Sequence, residues 1–442
     1  MMRNPQNKKL ASKSGLAHLL VFSCLLTIEA APQACLAQTV RFATYNVSLY
    51  SDAAGKVAER IASGTDKQAA SEAEIIQRVR PDILLLNELD YSAEGALIET
   101  FQKKYLKVGQ NVSESPAGPA EPIEYKYRYF APSNTGMHSG FDLDRNGRVT
   151  DKPGSVDYGA DSWGFGQYPE QYGMVILSKY PIATEQVRTF KNFLWKDMPG
   201  ALLPDNLETP GPGDWYPEET LAKFPLSSKS HWDVPVQIDE HTVHVLASHP
   251  TPPAFDGEED RNGRRNHDEI RFWVDYISSK GVSSQGAQSK DNQYIYDDTG
   301  KHGGLPSGAS FVIMGDLNGD PHDGQGKEGI AKLLAAAEIS DAVLVNGGAP
   351  ESDGGEEQAK LQGGINADHA GNPRNDTLDA ADKNGPGNLR LDYVLPSNDL
   401  KVVASAVFWP QNTDTLFKLV GTFPFPSSDH HLVWVDIAWE RR

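Results

Sequence analysis

The chain has 442 residues, 41 Lys and Arg against 60 Asp and Glu, a formal net charge of −19 and 39% hydrophobic residues. This length and apolar content suffice for a sizeable core, while the acidic balance argues against gripping nucleic acid by bulk electrostatics, which needs Lys and Arg. Two cysteines exclude a disulfide scaffold or a Cys-rich zinc module.

In chain order, Arg3, Lys8, Lys9 and Lys13 precede an apolar run over 16–28, and small residues lead to Ala37. This pattern predicts a secretory signal peptide, residues 1–37, cleaved after Ala37. The run is too short for a stable membrane span. Cys24 and Cys35 leave with the signal, so the expected mature chain is a thiol-free monomer, secreted or periplasmic. Residues 40–49 then read as a strand, 72–79 as a helix stopped by Pro81, and 82–88 as a buried strand. Further strands are predicted at 174–178, 234–238, 242–248, 310–315, 389–395, 402–409 and 432–439, and helices at 93–107, 266–279 and 327–337. Long Gly-, Pro-, Asp- and Asn-rich loops separate them near 109–171, 191–229, 283–309 and 346–388. Because polar motifs are spread from Asn46 to His430, one domain over 38–442 with these insertions is expected.

Those motifs punctuate strand ends: Tyr45-Asn46, Leu86-Asn87-Glu88, Ala247-Ser248-His249-Pro250-Thr251, Gly315-Asp316-Leu317-Asn318, Arg390-Leu391-Asp392-Tyr393 and Ser428-Asp429-His430-His431. They supply hard oxygen donors (Asn46, Glu88, Asp429), two imidazoles (His249, His430) and a carboxylate–amide pair (Asp316, Asn318). Hard oxygens suit Mg²⁺, Mn²⁺ or Ca²⁺. Such an ion polarises a phosphoryl oxygen, and imidazoles donate hydrogen bonds or take a proton from water. Any one of these residues alone would read as a turn residue or a helix cap.

Taken in order, the motifs resemble the endonuclease/exonuclease/phosphatase superfamily, the DNase I-like proteins, from Arg41 to the C-terminus, with the long loops unmatched. The resemblance implies an α+β, four-layer α/β/β/α sandwich of two mixed sheets with long insertions. It implies that Asn46 and Glu88 form a metal-proximal pair for Mg²⁺ or Mn²⁺ and that Asp429 holds the metal or water. Asp316 would orient or deprotonate the attacking water, Asn318 would hydrogen-bond the phosphoryl group and His249 would contact the scissile phosphate. Asp392 would pair with His430, fixing its tautomer and favouring its protonated form. Tyr172 falls near a family tyrosine that touches phosphate. The implied activity is metal-dependent hydrolysis of a phosphomono- or phosphodiester by direct water attack. The substrate is open among a small molecule, a lipid headgroup and nucleic acid. An extracellular endonuclease is the alternative hydrolase, and a non-catalytic binding module on the same scaffold is the alternative of another class.

Two features lie outside that set. Asp142, Asp144, Asn146 and Gly147 match positions 1, 3, 5 and 6 of a calcium loop, but Pro153 takes the place of the bidentate Glu. A structural Ca²⁺ completed by Asp151 or Asp157 and a ligand-free Asx-turn loop both fit. Arg261, Arg264 and Arg265 suggest a local anion site; the neighbouring Asp260, Asp268 and Glu269 equally allow a salt-bridged loop.

Overall fold

The computed structural model describes residues 38–278, 292–344, 348–380 and 385–439. The expected signal peptide lies outside them. Among the described residues, eleven strands form two mixed sheets: β1 (Gln38–Leu49), β2 (Ile83–Leu89), β3 (Tyr127–Tyr129), β4 (Met174–Ser178), β5 (Arg188–Thr189), β6 (His231–Ile238), β7 (His241–Ser248), β8 (Ser310–Asp316), β9 (Asp392–Pro396), β10 (Lys401–Val407) and β11 (Val433–Trp439). The six-stranded sheet runs β10-β11-β1-β2-β4-β3 and the five-stranded sheet β5-β6-β7-β8-β9. β1 and β2 face β8, and β1 and β11 face β9, so the sheets pack through their central strands.

Those central strands are apolar because both of their faces are covered. Ile83, Leu84, Leu85 and Leu86 of β2 and Val312, Ile313 and Met314 of β8 have no exposed surface. The helix Lys67–Val79 covers β1, burying Ala69, Ala73 and Ile76 at helical spacing, with Asp66 capping the Ala69 N–H at 2.9 Å. Across β1 and β11, Arg41 donates to both oxygens of Asp436 at 2.7 Å and stacks over Trp434. On the other sheet the helix Arg261–Ile277 ties to β7 through Trp273 Nε1 to Ser248 Oγ at 2.8 Å and to β6 through Tyr276 OH to Asp233 at 2.6 Å. This is the expected α+β sandwich of two mixed sheets.

The segments expected to be plain loops carry short elements. The helix Asp353–Gln362, capped by Ser352, lies within the 346–388 stretch. Its Gly354 is required by packing, since a Cβ there would sit 2.2 Å from the Trp409 carbonyl oxygen. The helix predicted over 93–107 is α-helical only across Ala96–Phe101 and then widens to a π-turn over Gln102–Leu106. The helix expected from Asn266 starts at Arg261.

Candidate active site

Strand direction brings the motifs together. β1 runs parallel to β2, and β7 parallel to β8, so the ends carrying Asn46, Glu88, His249 and Asp316 finish side by side. β9 is antiparallel to β8 and β11 antiparallel to β1, so Asp392 and the Asp429-His430 pair enter at the same edge. Asp316 and Asp392 are register partners. The turns are strained: Ser48, Glu88, Tyr172 and Asn318 adopt left-handed φ values of 45°, 58°, 60° and 51°. Each such residue costs about 1–3 kcal/mol and persists where surrounding contacts over-determine it. Gly315 lets β8 approach β7, since a Cβ there would lie 2.0 Å from the Ser248 carbonyl oxygen.

Asp316 is the hub. Its Oδ2 accepts Asn46 Nδ2 at 3.0 Å and lies 3.4 Å from His249 Nε2 and 3.7 Å from His430 Nε2. Its Oδ1 accepts the Asn318 N–H at 3.0 Å. His430 Nδ1 meets Asp392 Oδ2 at 2.7 Å, and Thr377 Oγ1 donates to that same oxygen at 2.8 Å. Asp429 Oδ1 accepts Ser48 Oγ at 3.1 Å, while Ser48 N–H donates to Asn46 Oδ1. Glu88 Oε1 is 3.9 Å from His249 Nε2. Tyr172 stands edge-on to Tyr50, with ring centroids 4.6 Å apart, and Glu88 and Asp429 together with burial push Tyr50 up to about 12. His431 does not face the cluster; it stacks on Trp409 at 3.7 Å.

The two histidines are driven apart electrostatically. Burial opposes charge on His430, but Asp392 and Asp316 outweigh it and hold the ring well above its ordinary value. Burial, then Lys229 and His430, hold His249 well below, so it is neutral. Burial lifts Glu88 to about 7; His430 pulls it back, while Asp429 and Asp316 add to the rise. Burial lifts Asp316 to about 6, against His430 and with Asp392. Converging carboxylates held above their ordinary range by burial and by one another are an arrangement that a cation would stabilise. Glu88, His249 and Asp316 each place one donor atom within 4.8 Å of the others. The oxygen donors there, Glu88 and Asp316 with Asn46 and Asp429 alongside, suit a hard divalent ion.

Lys229 has no sequence motif, yet it faces this cluster. It is 6% exposed, and Glu269, Glu88 and Asp316 raise its ammonium against a larger lowering by burial. The long insertions hold it there. The Lys229 carbonyl accepts the Asn134 N–H at 2.9 Å, and Asn134 Nδ2 donates to the carbonyls of Lys191 and Ser227. Glu269, fully buried, accepts Ser228 N–H and Thr251 N–H at 2.6 Å each, tying the residue before Lys229 to the His249 turn.

The arginine cluster is used differently. Arg261 pairs with Glu259, Arg264 donates to the Leu203 carbonyl, and Arg265 donates to the carbonyls of Pro225 and Leu226 while lying over Phe224. These guanidinium groups pin the 191–229 insertion to the helix. In the calcium-like loop, Asp142 and Asp144 accept the Asn146 N–H, and the third carboxylate beside them is Asp161 rather than Asp151 or Asp157. Asp157 is taken by Arg148 at 2.5 Å. Asp161 is buried and accepts the N–H groups of Leu143 and Thr150.

A family model for the endonuclease/exonuclease/phosphatase family matches residues 43–430. The chain belongs to that family. Its members act on phosphoesters, and the matched span runs from β1 to His430. Among solved structures the chain is similar to an endonuclease/exonuclease/phosphatase from Beutenbergia cavernae DSM 12333, at 17% identity over 91% of this chain and 72% of that one, TM-score 0.44. It is also similar to sphingomyelinase C from Streptomyces griseocarneus (14% identity, 90% of this chain and 99% of that one, TM-score 0.40). A truncated TDP2 from Caenorhabditis elegans matches at 15% identity over 91% of this chain and 98% of that one, TM-score 0.38. No curated protein sequence matches the chain. Among the described residues no helix is long and apolar enough to cross a membrane.

Proposed function

We propose that this protein is an exported, divalent-metal-dependent phosphoesterase that hydrolyses a small phosphoric ester by direct attack of water. The observation that carries the reading is Asp316, set between a neutral and a cationic imidazole and beside Glu88. Glu88, with Asn46 and Asp429, would hold Mg²⁺ or Mn²⁺, which supplies charge stabilisation at the phosphoryl oxygens and leaving group when bound. Asp316 accepts a proton from the attacking water; its Oδ1 is fixed by the Asn318 N–H and its Oδ2 by the Asn46 amide. Protonated His430, oriented by Asp392, donates from Nε2 to a phosphoryl oxygen. Neutral His249, whose Nε2 lies 3.4 Å from the same Asp316 oxygen, donates from that atom, and the Lys229 ammonium compensates the anion's charge. No side chain needs to bond covalently to phosphorus.

A small ester is favoured over duplex nucleic acid because the arginines nearest the site are engaged on backbone carbonyls and carboxylates. A phosphoester panel run with and without chelator tests the reading. His249→Ala and His430→Ala should each abolish metal-dependent turnover; near-wild-type rates in both would defeat it. Nicking of supercoiled plasmid at low enzyme concentration would favour an endonuclease instead.

A further inference from the structure

Away from the catalytic edge, Asp323, Asn366, His369 and Asp376 line an enclosed cavity of about 50 Å³. Asp376 is only 7% exposed, and among the described residues its carboxylate has no hydrogen-bond donor. The groups acting on it besides burial are two more carboxylates, Asp320 and Asp323, which with burial push it up to about 8. The other two are spoken for: Asp320 accepts the N–H groups of His322, Asp323 and Arg390, and Asp323 those of Ala370 and Gly371. A buried carboxylate with no donor beside two like charges is neutralised by a proton or by a cation, and the adjoining cavity gives a cation room.

We infer that this cavity is a second divalent-cation site, with the Asp376 and Asp323 carboxylates as its charged ligands. The volume admits one ion with a retained water, since a water's share of liquid is about 30 Å³. The two carboxylates are hard oxygen donors that suit Ca²⁺ or Mg²⁺, and a site built from irregular loops favours Ca²⁺, which tolerates irregular geometry. The site differs from the catalytic one but is joined to it. The next residue, Thr377, donates to Asp392 and accepts the Leu391 and Asp392 N–H groups, and its carbonyl accepts the His431 N–H. Two residues on, the Asp379 N–H donates to the Asp429 carbonyl. An ion at Asp376 would therefore brace the segment on which the Asp392–His430 pair rests.

The test counts ions. Wild-type protein stripped of divalent ions and the Asp376→Asn variant are titrated with Ca²⁺, and in a second arm with Mg²⁺, by calorimetry, with bound ions counted by mass spectrometry. The catalytic cluster and the Asp142 loop are intact in both proteins, so the difference isolates this cavity. The expected result is one ion fewer per chain in Asp376→Asn, with a smaller Ca²⁺-dependent rise in Tm. Loss of the ion in either metal arm supports the site and tells the two ions apart. Equal counts in both arms overturn it. Should Asp376→Asn fail to fold, Asp323→Asn gives the same reading, and an undiminished count there overturns the site equally.

Discussion

Replacing Lys229 separates function from stability more cleanly than any other single change. The ammonium is nearly sealed from solvent, and among the described residues its Nζ makes no hydrogen bond or ion pair, so burying it costs stability. Lys229→Met keeps the length of the stem and removes the charge. The folded state should gain, by about 1–3 kcal/mol in urea denaturation of the metal-free protein, because an unpaired buried charge is expensive. Catalysis should move the other way. Loss of one preorganised cation at the developing phosphoryl charge costs about 10²–10³ in kcat, which is about 3–4 kcal/mol. Lys229→Arg should recover part of the rate if charge is what matters. The assay is kcat at saturating Mg²⁺ on the best ester of the panel, alongside unfolding curves. A more stable protein with kcat within threefold of wild type would refute the role, and so would a loss of stability that parallels the loss of rate.

Asp392→Asn should lower turnover by about 10²–10⁴-fold, and the His430 ring, deprived of its carboxylate partner at 2.7 Å, should titrate at lower pH by NMR than in wild type. Unchanged His430 titration would show that Asp392 does not set its charge. Mg²⁺ affinity should weaken as pH falls through about 7, because Glu88 must release its proton to bind the ion; a flat profile between pH 5 and pH 8 would oppose this. The sign for folding is the reverse. Glu88 is raised from 4.5 to about 7 in the fold, so its contribution to metal-free stability is present below the lower value and lost as pH rises through the upper one. Wild type should therefore lose Tm relative to Glu88→Gln over that interval. Glu269→Ala should cost about 3 kcal/mol or more, since it strands the buried N–H groups of Ser228 and Thr251; a change below 1 kcal/mol would show that those groups find other partners.

The central strands and the polar residues that end them are legible in the sequence because covering both sheet faces forces continuous apolar runs, and a polar residue at the end of such a run must serve the edge. β2 and β8 are the clearest cases. β3 and β5 are two or three residues long and half-covered, too short to show a period. The helix Asp353–Gln362 opens on Gly354-Gly355, residues of poor helix propensity, which close packing against Trp409 makes necessary. The helix Arg261–Ile277 inverts the usual pattern: Arg265, Asp268, Glu269 and Arg271 are buried, because their task is to satisfy backbone groups of the long insertions. Its charges read as a surface or an anion site only while those insertions are out of view. Lys229 is illegible for the same reason, since its place depends on Asn134 and on the Glu269 contact with Ser228, which lie far apart in sequence.

On the proposed phosphoesterase reading, that inversion limits what kind of anion the site would hold. In a protein of net charge −19, Arg261, Arg264 and Arg265 are engaged on Glu259 and on backbone carbonyls, and the candidate site itself presents Lys229 and His430. A polyanion bound by many phosphates would lose affinity with a log–log salt slope of about −0.9 per phosphate neutralised. One buried lysine and one imidazolium facing the same phosphoryl group predict a slope for log(kcat/KM) against log[salt] near −1, measured at fixed free Mg²⁺. Gripping a duplex would need about four or more neutralised phosphates and a correspondingly steep slope. A steep slope on plasmid substrate, kept when Lys229 is replaced by Met, would locate a basic surface elsewhere and return the protein to the nucleases. A shallow slope lost with Lys229 would tie substrate recognition to a single phosphoryl group held among Asp316, His249 and His430, as proposed.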